Sequence, residues 1–267
     1  MTARRRSASA LNRILVGLML AFLILPVLVV IPVALTDRDY LSLPEHGLSL
    51  RHFLSVFDWD AGWLPSMLTS LAIGLVASFF ATVLGTAYAV GAWSLNGWWP
   101  STTRMLILSP IIIPPIIYAV GIFKLWARLH MLDTVIGVVI VHIILCLPFV
   151  ILAMGSTLSN LDPRMVQAAR SLGARPGTVF FRIVAPHIWP GVLSAAIFAF
   201  ITSWDEITVT LFITSRTVIT LPRRIWTSIA DNVDPALAAV ASLMLIVVSL
   251  GIIAHTWLAN RQLPPKT

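Results

Sequence analysis

Six stretches of this chain contain no Asp, Glu, Lys or Arg: 14–36, 61–103, 105–123, 134–161, 183–204 and 235–260. Each reaches the ~18 apolar residues that a membrane-crossing helix requires. Inside hydrocarbon every backbone N–H and C=O must be satisfied within the protein, so runs of this length imply helices. The longest stretch has room for two spans. However, Ser94-Leu95-Asn96-Gly97-Trp98-Trp99-Pro100-Ser101-Thr102-Thr103 is polar, rich in helix breakers and carries an interfacial Trp pair, so it reads as a loop after one helix. The expectation is an all-α membrane protein with six transmembrane helices near 14–35, 67–93, 105–123, 134–158, 191–213 and 237–258. Composition excludes the alternatives. Apolar residues make up 58% of the chain and charged residues 11%, whereas soluble domains carry about 25% charged residues. A soluble domain of this composition could not cover its apolar surface. Disorder requires low hydrophobicity. The single cysteine, Cys146, excludes a disulfide framework and a thiolate metal cage.

Six spans put both termini on one side, together with loops 94–104 and 159–190. That side collects eleven Lys and Arg against one acidic residue, Asp162, while the other side holds seven against ten; the two net charges, +10 and −3, reproduce the chain's +7. Positive-inside asymmetry therefore predicts cytoplasmic N- and C-termini. The basic excess is a topology signal and calls for no nucleic acid. Arg4-Arg5-Arg6 before a long apolar run resembles a signal peptide, but the run is too long for one and Val33-Ala34-Leu35 is a poor cleavage site, so it is expected to stay as the first span. The organisation predicted is a basic cytoplasmic N-terminus over 1–13, a transmembrane domain over 14–258 with its large loop at 159–190, and a tail over 259–267. Residues 36–66 form an external, partly interfacial segment. In span two, Ala81, Gly85 and Ala89 at four-residue spacing let a second helix approach closely. In span three, Pro110, Pro114 and Pro115 require a kink or a break.

The large loop carries the most informative motif. In Asp162-Pro163-Arg164-Met165-Val166-Gln167-Ala168-Ala169-Arg170-Ser171-Leu172-Gly173, Asp162 suits an N-cap, Pro163 the first helical position and Gly173 the C′ position. A helix over 163–172 would be about 15 Å long. Met165, Ala168, Ala169 and Leu172 share a face at helical spacing, with Arg164, Gln167 and Arg170 elsewhere. So short a helix is marginal alone and needs a surface to dock on.

Gln167-Ala168-Ala169-Arg170-Ser171-Leu172-Gly173, followed by Ile183-Val184-Ala185-Pro186, resembles the EAA loop of binding-protein-dependent ABC importer permeases. The resemblance implies a type I ABC importer permease fold in which this loop is the coupling helix, seated on an ATP-hydrolysing subunit through Met165, Gln167, Ala168, Ala169, Arg170, Leu172 and Gly173. Gln167 stands where the family usually has Glu, and Ala185 where it commonly has Leu. Ser109-Pro110-Ile111-Ile112-Ile113-Pro114-Pro115, Cys146-Leu147-Pro148-Phe149-Val150, Ser203-Trp204-Asp205-Glu206 and Thr220-Leu221-Pro222 are most similar to the spermidine/putrescine branch, second-subunit type. The implied partners are a homologous second permease subunit, two ATPase subunits, a substrate-binding protein and the lipid bilayer of the bacterial cytoplasmic membrane. ATP and Mg would reside on the ATPase, since this chain has no G-x-x-x-x-G-K-[ST] phosphate loop and no cofactor motif.

Asp205 and Glu206 are the only adjacent acidic pair in the chain. With a fifth span starting at Gly191, Asp205 would lie roughly 21 Å into a ~30 Å core, where ionisable groups face a cavity or a partner. Such carboxylates would draw a polyamine, and Trp204 could add a cation–π face. A span starting near Ile183 would instead leave the pair in an external loop. Tyr118 in span three is a further pathway candidate. His142 and Cys146 lie one turn apart in span four, but a metal site needs more ligands, and packing is the better reading. His46, His52, His130, His187 and His255 show no ligand spacing. Asp231 and Asp234 are candidates to receive a binding protein, with helix and turn capping as the alternative. Neither G-x-S-x-G nor H-E-x-x-H occurs, which argues against an intramembrane enzyme. A passive channel would have no use for the docking helix. Other small solutes, such as an amino-acid derivative, an opine or thiamine, remain open as substrates.

Overall fold

The computed structural model describes residues 2–94, 99–231 and 233–261. Leu95, Asn96, Gly97 and Trp98 of the expected loop, and the tail beyond Arg261, lie outside the described residues. Every regular element described is helical. The helices are α1 (Thr2–Ala34), α2 (Arg51–Phe57), α3 (Trp63–Ser94), α4 (Trp99–Ile112), α5 (Pro115–Leu129), α6 (Val135–Ser159), α7 (Pro163–Ser171), α8 (Pro176–Val179), α9 (Ala185–Trp204), α10 (Thr208–Ile213), α11 (Leu221–Asp231) and α12 (Ala236–Arg261). Among the described residues, five helices are long and apolar enough to cross a membrane. A sixth span exists if the pair α4–α5 crosses as one broken element.

That pair departs from the expected single span over 105–123: it runs from Thr102 to Leu129 and bends by 104° at Ile113–Pro114. The cause is local. A residue before proline is pushed out of the α region, and Ile113 precedes Pro114, which is extended at φ −54°, ψ 132°. Pro115 then opens α5 at a position where its missing N–H costs nothing.

The fifth span also differs from 191–213. It runs continuously from Pro176 to Trp204, and Thr208–Ile213 is a separate short helix. Between α8 and α9, residues Phe180–Val184 form a π-turn, closed by the Ala185 N–H donating to the Phe180 carbonyl. Pro186 lacks an N–H and its ring crowds the carbonyl four residues back, so one extra residue in the turn relieves the clash.

The described residues divide into two units, one within Met1–Pro65 and Ile225–Thr267, the other Ser66–Arg224. In the first, α1 packs on α12 and α12 on α2. Its segment between α1 and α2 is tied by polar contacts: Arg38 to Glu45 at 2.5 Å, His46 Nδ1 to Asp37 at 3.2 Å and Arg51 to Asp39 at 3.0 Å. Asp234 accepts from the Ala236 N–H at 2.8 Å and so caps α12; Asp231 is exposed at the end of α11.

Among the described residues of the second unit, two apolar clusters lie along α6. One joins Ala81 and Ala89 of α3, Cys146, Val150 and Met154 of α6, and Ile188, Ala195 and Ala199 of α9. The small-residue stripe of α3 lies in this contact: a methyl group added at Gly85 would sit 2.5 Å from Val150 Cγ1. The other cluster joins Ala119 and Trp126 of α5, Val138 and Val141 of α6, and Val209 and Ile213 of α10. The 25 residues of α6, at about 1.5 Å each, separate its two ends by about 37 Å.

Candidate functional site

The loop helix after α6 forms as its sequence predicts, one residue shorter. Asp162 Oδ1 accepts from the Arg164 N–H at 2.9 Å, and Pro163 is the first helical residue. At the other end the Ala174 N–H donates to the Ala169 carbonyl at 3.1 Å and the Gly173 N–H to the Arg170 carbonyl at 2.9 Å. This six-to-one and five-to-two pair is a Schellman closure, which requires a left-handed C′ residue; Gly173 supplies it at φ +81°.

The face expected to act together divides. Ala169 turns inward and packs on the α6–α9 cluster beside the buried Val166. Met165, Ala168 and Leu172 point away at three- and four-residue spacing, with Gln167, Arg170 and Gly173 also exposed. Leu172 keeps 88% of its surface accessible. Sequence reading missed Val166, although its three-residue spacing to Ala169 was the available signal.

At the opposite end of α6, α9 ends at Trp204, and Asp205 and Glu206 follow it. Asp205 follows the last residue of the continuous helix Pro176–Trp204, whereas the expected span runs on to 213. The break has a local cause. Glu206 Oε1 accepts from the Val209 N–H at 2.7 Å, offering the backbone an alternative to continuous helix. Asp205 is exposed and Glu206 half-buried. The Trp204 ring lies 5.7 Å from that of Phe200. Tyr118 is half-buried with its hydroxyl unpartnered, and it packs on the cluster that holds Val209 and Ile213 of α10. His142 Nδ1 is 2.7 Å from Ser203 Oγ and Nε2 is 3.1 Å from Thr210 Oγ1, and the Cys146 thiol donates to the Ala199 carbonyl at 3.1 Å. Both side chains therefore have packing and bonding roles. Among the described residues no cluster of His, Cys, Asp or Glu could hold a metal.

Asp133 was not anticipated. Its carboxylate accepts four backbone N–H bonds, from Ser215, Arg216, Thr217 and Val218, at 2.9–3.1 Å. Its own N–H donates to the Ile213 carbonyl at 2.8 Å. Burial pushes its carboxyl upward, but the four donors outweigh this and hold it well below the usual carboxylate range. Arg223 braces the same loop, donating to Thr214 Oγ1 and, at 2.5 Å, to the Ser215 carbonyl. These bonds tie the loop after α10 to the turn before α6.

Apolar spans, a capped loop helix at one end and an acidic, aromatic rim at the other define a helical multi-span membrane protein. The chain belongs to the family described as binding-protein-dependent transport system inner membrane component, which it matches over residues 81–263. It is accordingly a permease subunit of an ABC importer, working in a membrane-embedded complex with other subunits. The spermidine/putrescine transport system permease protein PotC of Haemophilus influenzae is 26% identical over 242 residues, 91% of this chain and 93% of that one. The molybdenum transport system permease protein ModB of Mycobacterium bovis is 28% identical over 250 residues, 84% of this chain and 92% of that one. A crystal structure of a bacterial ABC transporter involved in the import of the acidic polysaccharide alginate matches with a TM-score of 0.70 at 14% identity, covering 99% of both chains. That last likeness shows the fold.

Proposed function

We propose that this permease subunit translocates a polyamine of the spermidine or putrescine type, received from a substrate-binding protein and driven by ATP hydrolysis on separate subunits. The observation that carries the reading is the rim itself: the fifth span ends at Trp204, with Asp205 and Glu206 directly after it. Two carboxylates attract a polycation, and the Trp204 face can hold an ammonium group. The PotC relative supports the same substrate class. The ModB relative favours a second reading, a different solute, but adjacent carboxylates at the mouth speak for a cation.

In the same reading, α7 is the coupling helix. Its inward residues Val166 and Ala169 tie it to the membrane helices, and Met165, Ala168 and Leu172, rimmed by Gln167, Arg170 and Gly173, meet the ATPase. Motion of the ATPase then reaches α6 and α9 through a packed contact. The partner chains are a second, homologous permease and two ATPase subunits. The basic side of the chain, with both termini and α7, faces the cytoplasm of a bacterium across its inner membrane.

The test is Asp205→Asn with Glu206→Gln, which removes two charges with little change of shape. At 4 Å each attraction is worth about 1 kcal/mol in bulk water and more in a low-dielectric cavity. Uptake of labelled spermidine by the reconstituted complex is expected to fall at least tenfold, since about 1.4 kcal/mol is one decade of rate. Uptake at the wild-type rate would overturn the polyamine reading.

A further inference from the structure

The break between α9 and α10 is bridged by one buried side chain. His142, on α6 and 2% exposed, has a hydroxyl at each ring nitrogen: Ser203 Oγ, on the last turn of α9, at 2.7 Å from Nδ1, and Thr210 Oγ1, on α10, at 3.1 Å from Nε2. The partners flank residues 205–207, which carry the acidic pair. All three polar groups are buried.

The direction of these bonds follows from proton counting. Thr210 Oγ1 donates its single proton to the Glu206 carbonyl at 3.3 Å, because a carbonyl only accepts. Toward His142 it must then accept, so Nε2 carries the ring proton. In a neutral imidazole Nδ1 is left as the acceptor, and Ser203 donates to it. The chain runs from Ser203 through His142 and Thr210 to the Glu206 carbonyl, each proton used once and no net charge buried. Cooperative networks of this kind stiffen the elements they join.

We propose that His142 is a positioning residue for transport, holding the α9–α10 break in the register that presents the Glu206 carboxylate at the end of the fifth span. The inference rests on the reading of Glu206 as a cation site and adds to it a residue that touches no substrate. Val209 and Ile213 of α10 pack on the cluster that Tyr118 also meets, so a loosened α10 would move Glu206 relative to it. One Glu206 oxygen caps α10 through Val209, and a carboxylate has about four acceptor positions, so capping and cation binding are compatible.

The experiment uses the complete complex in proteoliposomes, with spermidine as the probe and the loaded binding protein saturating. His142→Phe keeps ring volume and removes both nitrogens. Spermidine uptake per assembled complex is expected to fall at least tenfold, and His142→Gln, which retains one acceptor and one donor, to recover part of it. The decisive variant is His142→Phe combined with Glu206→Gln. If His142 acts through Glu206, the double variant transports at the rate of Glu206→Gln alone. A purely packing role would multiply the two losses, and that result, or wild-type uptake by His142→Phe, overturns the proposal. Should His142→Phe not assemble, Thr210→Val removes the hydroxyl at nearly constant volume and is read by the same criterion. Wild-type uptake by Glu206→Gln on its own would overturn the cation-site reading itself, an outcome distinct from a failure of His142 alone.

Discussion

Leu172→Ala separates docking from folding in the loop helix. Leu172 is 88% exposed, so shortening it removes almost no contact within the chain, and the thermal unfolding temperature of the isolated subunit in detergent should stay unchanged. If the residue enters a groove on the ATPase, the three lost carbons each forfeit about 0.8 kcal/mol of burial, or about 2 kcal/mol after allowing for incomplete coverage. That corresponds to roughly a thirtyfold weaker association, at about 1.4 kcal/mol per decade. Binding of purified ATPase to the nanodisc-embedded permease measures it directly, and ATP-driven uptake should fall at limiting ATPase. Val166→Ala is the control: Val166 is buried against the α6–α9 cluster, so its truncation should lower the unfolding temperature first. Ala169→Arg belongs with Val166, because Ala169 faces inward and an arginine there would damage the loop before it reached any partner. If Leu172→Ala binds ATPase with wild-type affinity, the outward face of α7 is not the docking surface.

Two further outcomes are expected. Asp133→Asn removes the charge that four N–H groups address, each such bond being worth about 1.5–3 kcal/mol, and it should lower the unfolding temperature at pH 7 by several degrees. Because folding depresses this carboxyl, its contribution is fully present above the unfolded-state value of about 3.9 and is lost as pH falls below it; the wild-type and variant unfolding curves should therefore converge toward acid pH, and a constant gap down to low pH would refute the assignment. With Cys146 replaced, cysteines at Arg170 and Arg261 should react with impermeant thiol reagents only after the membrane is opened, and one at Asp60 in intact cells; labelling at 170 from outside would reverse the orientation.

The sequence by itself determined the elements whose causes are local. Charge-free runs identify the spans, because hydrocarbon admits neither unpaired backbone nor many charges. Asp162, Pro163 and Gly173 delimit the loop helix, because caps act within a few residues. Pro110, Pro114 and Pro115 announce that the third span is interrupted. Tertiary structure alone decided how these pieces meet. The inward turn of Val166 and Ala169 follows from the α6–α9 cluster on which they pack. His142 meets Ser203 across 61 residues, and Asp133 meets Val218 across 85. A lone histidine in an apolar run and an aspartate in a turn carry no mark of such partners. A buried donor or acceptor takes whatever group the fold brings within about 3 Å, and that group exists at the site only once the helices have packed.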